Sequence, residues 1–110
     1  MSQVAFNSLV SDSVALGEVK TYEITIPKSA KYVVELAGPA NTLFGIWKGS
    51  VSPANGMLRI CGVGKRGTRT LDAGPHVIQV TGNTAGAFTF KVRPWSFSDY
   101  VTIGFYKSSC

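Results

Sequence analysis

Along most of this chain apolar and polar residues alternate with a period of two, and two runs in the second half show it most cleanly. After the turn signal Gly74-Pro75, His76, Ile78 and Val80 fall on one face and Val77, Gln79 and Thr81 on the other. After the polar stretch 82–86, Phe88, Phe90 and Val92 alternate with Thr89, Lys91 and Arg93. Two such runs joined by a short glycine-bearing loop predict an antiparallel hairpin whose apolar side forms half of a core. Upstream, Tyr22, Ile24 and Ile26 alternate with Thr21, Glu23 and Thr25, and Tyr32, Val34 and Leu36 alternate with Lys31 and Glu35. Further strands are predicted at 43–47, 57–61 and 68–71, separated by Gly38-Pro39, by the Pro53 and Asn55-Gly56 loop, and by a basic turn at 62–67.

The two ends differ from this middle. Residues 1–10 alternate only weakly (Val4 and Phe6 against Ala5 and Leu9) and read as an edge strand or an arm. Residues 93–99 form a loop carrying Trp95 and Phe97. Beyond it, 100–106 alternates but is apolar on both sides, with Val101, Ile103 and Phe105 opposite Tyr100 and Tyr106. Such a strand calls for cover on both faces, one of them supplied by a partner or left as a tyrosine-bearing rim. No stretch keeps the 3.6-residue period of an amphipathic helix over three turns. The prediction is therefore all-β, an antiparallel β-sandwich or barrel of about eight strands, which the resemblance given below narrows to a jelly-roll-like β-sandwich. Its core spans 14–93, between an N-terminal arm at 1–13 and a C-terminal arm at 94–110.

Charge changes this picture little. Eleven basic and six acidic side chains give a net +5, but the bases are dispersed along the chain and no motif of a nucleic-acid-binding fold is present. That argues against a nucleic-acid partner. No basic and apolar leader stands at the N-terminus, and no run approaches the roughly 18 apolar residues of a membrane helix, so the expected place of synthesis is a cytoplasm. Cys61 and Cys110 have neither zinc-site nor disulfide-framework spacing. They read as a buried thiol and a terminal one, with a bond between subunits through Cys110 as the alternative.

Candidate chemistry is sparse. Gly62-Val63-Gly64-Lys65-Arg66-Gly67 matches a dinucleotide-binding pattern, but a β-like segment follows where that site needs a helix N-terminus, so it reads as a hairpin tip. The tip would gather Lys65, Arg66 and Arg69 into a basic patch. His76, the sole histidine, falls on the inward face and reads as a core imidazole bonded to backbone. The six acids show no paired spacing, so neither a hydrolase dyad nor a calcium cage is predicted, and no cofactor or metal is expected. Trp47 reads as core filling, with a platform for sugar rings as the alternative, and Trp95 reads as an interface or rim residue.

The run 16–92 resembles the pre-peptidase C-terminal type of β-sandwich, a jelly-roll-like domain related to some carbohydrate-binding modules. The matching pieces are Gly17-Glu18 before Tyr22-Glu23-Ile24-Thr25-Ile26, then Tyr32-Val33-Val34-Glu35-Leu36, then 71–80 and Gly86-Ala87-Phe88-Thr89-Phe90. Asn41-Thr42-Leu43 stands where that family carries acids, and His76 where it favours an aromatic, so calcium binding does not carry over. In size and build the chain is also similar to the small decoration or stapling proteins of short-tailed double-stranded DNA phage capsids. That resemblance implies a non-enzymatic virion protein on the outer capsid surface, made in the host cytoplasm. Its partner would be the major capsid protein, and it would dimerise across a two-fold axis. The residues expected to bind are Val4 and Phe6, Lys65, Arg66 and Arg69, and Trp95, Phe97, Tyr100, Phe105 and Tyr106. A carbohydrate-binding module of the pre-peptidase type, with a possible glycan ligand, is the alternative.

Overall fold

The computed structural model describes residues 2–39, 41–61 and 65–96. Its nine strands are β1 (Ser2–Gln3), β2 (Val10–Val14), β3 (Val19–Ile26), β4 (Ala30–Ala37), β5 (Leu43–Lys48), β6 (Gly56–Cys61), β7 (Lys65–Leu71), β8 (Gly74–Thr81) and β9 (Gly86–Pro94). They make two sheets, one of five strands in the order β1-β3-β8-β5-β6 and one of four in the order β2-β9-β4-β7. The predicted β-sandwich is thus the observed fold. Among the described residues all pairings are antiparallel except β1 with β3.

Inward alternation fills the space between the layers. The five-stranded sheet contributes Tyr22, Ile24, Ile26, Phe44, Ile46, Ile60, Ile78 and Val80, and the four-stranded sheet Tyr32, Val34, Leu36, Leu71, Phe88, Phe90 and Val92, all buried. Phe90 is the hub: its ring centroid lies 5.3 Å from Tyr22, 5.4 Å from Phe44 and 6.3 Å from Phe88. Fully burying a side chain of this size contributes roughly 1.5–3 kcal/mol. His76 is also buried, with Nδ1 3.1 Å from the Gly74 carbonyl oxygen, the core imidazole bonded to backbone that its phase predicts.

The predicted hairpin is not one. β8 lies in the five-stranded sheet and β9 in the four-stranded sheet. Both edges of β8 are taken, by β3 from Val19↔Thr81 to Ile26↔Gly74 and by β5 from Leu43↔Thr81 to Lys48↔His76. β9 is likewise enclosed by β2 and β4. Neither strand has an edge left for the other, so the chain crosses from layer to layer. Gly82 makes that crossing fit: its N–H donates to the Glu18 carbonyl at 2.8 Å, and its carbonyl accepts from Gly17 at 2.7 Å. A Cβ there would collide with the Val14 side chain and the Ala15 carbonyl oxygen. Among the described residues, β5 and β6 are the one consecutive pair that stays in a single sheet.

Candidate functional site

The N-terminal residues expected to reach for a partner are instead built into the sandwich. Ser2 and Gln3 pair with Tyr22 and Glu23, and 10–14 pair with β9. Between them Val4 donates its N–H to the Glu23 carbonyl and Asn7 to the Val92 carbonyl, both at 2.9 Å. Val4 and Phe6 are half-buried against their own core, with the Phe6 ring edge-on to Tyr32 at 5.4 Å. Weak alternation hid this, because the segment serves both sheets in turn.

Asp12 extends the same attachment. From β2 its carboxylate accepts hydrogen bonds from the Tyr22 hydroxyl at 2.6 Å and the Lys20 ammonium at 2.9 Å, both on β3 in the other layer. The Ser13 N–H adds a third at 2.8 Å. These bonds, the Tyr22 one first, hold the Asp12 carboxyl down to about 2. Burial, then the bond to Asp12, pushes the Tyr22 phenol up.

The basic tip divides as well. β7 already begins at Lys65, and Gly67 sits inside its ladder opposite Val34. Arg66, opposite Glu35, is on the outer face of the four-stranded sheet, whereas Arg69 is opposite the inward-facing Tyr32. An odd separation along a strand puts two side chains on opposite faces, so Arg66 and Arg69 do not share a patch. Arg66 is engaged at home: Glu35 Oε2 lies 3.4 Å from its Nε, and Glu35 Oε1 accepts from Arg93 Nε at 2.9 Å. One carboxylate thereby ties β9, β4 and β7 together across the outer surface. Trp95 is half-buried, donating its N–H to the Lys31 carbonyl at 3.1 Å, with Lys31 Nζ 4.9 Å from its ring centre. Phe97, Tyr100, Phe105, Tyr106 and Cys110 lie outside the described residues.

The largest change from expectation concerns Trp47, which is not in the core. Phe44 and Ile46 point inward, so alternation sends Leu43, Gly45 and Trp47 to the outer face of the five-stranded sheet. Its indole leans back over Gly45, where a Cβ would lie 2.7 Å from Cζ3, while a Cβ at Gly56 would lie 3.6 Å from Nε1. The half-buried ring borders an open groove of about 660 Å³, walled by Val51, Ser52 and Pro53 and floored by Leu43, Gly45, Gln79 and Thr81, with the Arg59 cation also lining it. The wall is built rather than loose. Gly49 turns it at φ 77° and donates to the Pro75 carbonyl at 3.1 Å, and Asn55 N–H closes on the Ser52 carbonyl at 3.1 Å. The Leu43–Trp47 run is apolar throughout, which made it read as core. The usable signal was its parity, with a glycine two positions before the tryptophan.

Among the described residues no three His, Cys, Asp or Glu side chains stand together as metal ligands, and no helix is long and apolar enough to cross a membrane. No protein-family model matches the chain, and no curated protein sequence does. Solved structures do match in shape. The pre-peptidase C-terminal domain of a collagenase from Bacillus anthracis superposes with a TM-score of 0.69 at 12% identity, over 83% of this chain and 92% of that one. PliG of Aeromonas hydrophila, a periplasmic lysozyme inhibitor of g-type lysozyme, gives 0.61 at 14% identity, over 83% and 96%. Its Salmonella Typhimurium counterpart gives 0.51 at 12%, over 84% and 99%. At such identities the likeness is one of fold alone: a β-sandwich whose structural neighbours include a pre-peptidase C-terminal domain.

Proposed function

We propose that this chain is a non-enzymatic structural protein that decorates the outside of a phage capsid and staples neighbouring major-capsid subunits. The observation that carries this reading is the apolar character of the sequence that follows residue 96. The described core draws on residues 14–92, with Val4, Phe6 and Val10 packed against it. The sequence then continues with Phe97, Tyr100, Val101, Ile103, Phe105 and Tyr106, against only Asp99 and Lys107 as charged residues. In this reading these side chains are buried on the capsid, and burying apolar area contributes about 25 cal/mol per Å² before association costs. The staple then acts chiefly through its C-terminal segment, since Val4 and Phe6 are already packed against the chain's own core.

Two further features support the reading. The net charge of +5 favours approach to an acidic lattice, and dimerisation across a two-fold axis would present the same segment twice. PliG, a neighbour in fold, is by its name an inhibitor of another protein, so sandwiches of this shape do serve protein recognition. In this reading the protein is made in the host cytoplasm and ends on the virion surface.

Co-sedimentation with empty capsids tests it. The full chain should pellet with capsids, and a chain ending at Ser96 should fold, as judged by an unchanged β-sheet circular dichroism spectrum, yet remain in the supernatant. A truncated chain that pellets as well as the full one would overturn the proposal.

A further inference from the structure

We infer that the Trp47 groove on the outer face of the five-stranded sheet is a saccharide-binding subsite, with the indole as the stacking platform for one pyranose ring and Gln79, Thr81 and Ser52 as its hydroxyl partners. The site is separate from the C-terminal segment proposed to hold capsid, and it stands on its own observations. The first is the position of the indole. A tryptophan on the solvent side of a sheet leaves apolar surface unburied, yet here the ring is half-buried and seated on its own strand's backbone. Gly45 lies beneath the ring and Gly56 beside it, and a side chain at 45 would occupy the ring's own space. Little entropy remains to be lost when a ligand stacks on a ring so fixed.

The second observation is what surrounds the ring. Gln79 is opposite Gly45 and Thr81 opposite Leu43, so an amide and a hydroxyl stand one strand over from the indole, on the same face. Ser52 faces them from the loop wall. No hydrogen bond joins the Gln79 or Thr81 side chain to another described residue. The groove, at about 660 Å³, falls within the range of roughly 300–1,000 Å³ typical of small-molecule sites.

These features select the chemistry of the occupant. A purely apolar ligand would cover the amide and hydroxyls without satisfying them, at a cost for each. A strongly polar one would leave the indole with nothing to stack on. A pyranose has an apolar C–H face and an equatorial rim of hydroxyls, so it meets the ring and the polar rim together. A hydrophobic peptide is the competing occupant.

The test is a titration followed by proton–nitrogen correlation spectra, using soluble gluco-, manno-, galacto- and rhamno-oligosaccharides in turn, with a tryptophan-bearing peptide as the competing probe. At least one oligosaccharide should move the Trp47 indole N–H signal saturably, together with the amides of Gly45, Gln79 and Thr81, while the Trp95 indole signal stays still. Trp47→Ala should abolish that response in a protein whose other signals are unchanged. Gln79→Ala should weaken binding about tenfold while leaving the stacking response in place. Absence of a saturable shift with every oligosaccharide, shifts that persist in Trp47→Ala, or occupation by the peptide and no sugar would each overturn the inference. Capsid co-sedimentation of Trp47→Ala should be unaffected, which keeps this result apart from the fate of the stapling proposal.

Discussion

The two outer faces of the sandwich obey the same alternation rule and end up with opposite characters. On the four-stranded sheet, outward positions carry Lys91, Arg93, Glu35 and Arg66, and the carboxylate of Glu35 joins two of those cations across three strands. Val33 lies among them fully buried. On the five-stranded sheet, outward positions carry Gly45, Trp47, Gln79 and Thr81 beside the charged Arg59 and Glu23, with Gly45 beneath the indole and Gly56 beside it. Glycine in a strand interior weakens it, so Gly45 is a local cost to folding that the position of the ring explains. One face is thus closed by its own charges. The other holds a half-buried aromatic ring along an open groove.

Breaking what the two faces share should have the largest effect. Phe90→Ala removes the ring on which both layers meet, and should lower unfolding free energy by about 3–5 kcal/mol in urea titration. Both faces should be lost in a single transition. A change limited to one face would instead show that the layers fold separately.

Gly45→Val acts on the groove alone. The new side chain takes the indole's place, at a cost of about 1–3 kcal/mol from overpacking. Trp47 fluorescence should shift toward that of a fully hydrated indole, while the Arg93–Glu35 contact stays intact by nuclear magnetic resonance. An unchanged emission spectrum would show that the ring is not held by that glycine.

Asp12→Asn probes the tie between the layers beneath both faces. Because the folded state holds the Asp12 carboxyl at about 2, below its ordinary 3.8, its contribution is fully present above pH 4. It fades as the pH falls through about 2, where the folded protein takes up the proton too. The variant should therefore melt below wild type at neutral pH, by about 1 kcal/mol, and the difference should shrink as pH is lowered toward 2. A difference that grows on acidification would contradict this.

Glu35→Gln should have the smallest effect. Its ion pairs are partly exposed, with side-chain accessibilities of 20% for Arg93, 34% for Glu35 and 42% for Arg66. The expected loss is about 0.5 kcal/mol in low salt and close to nothing in high salt. A loss that salt leaves unchanged would mean the carboxylate packs rather than pairs.

Strand positions and inward faces were legible from alternation, because period two is a local property and the core residues obey it: Tyr22, Ile24 and Ile26, or Phe88, Phe90 and Val92, could be assigned from neighbours alone. Which strand pairs with which was not. A hairpin and a layer-to-layer crossing place the same apolar faces on the same core, and what separates them at 82–85 is whether distant strands have already taken the edges. Phe6 was hidden for a related reason, since its partner Tyr32 is remote in sequence. Arg66 and Arg69 belong to one strand that begins at Lys65, and their odd spacing within it is what parts them. The groove was half legible: Trp47 stands out in the sequence, but Gln79 and Thr81, which line its floor, come from β8, more than thirty positions away.

Hydrogen exchange on the free and capsid-bound protein tests the central claim most directly, because it reads the C-terminal segment and the Trp47 face in one measurement. Binding should slow exchange across 97–110 and leave the amides of β5 and of the 49–55 wall as they are in the free protein. Protection confined to the Trp47 face, with 97–110 exchanging as before, would contradict a staple that grips through its C-terminal segment.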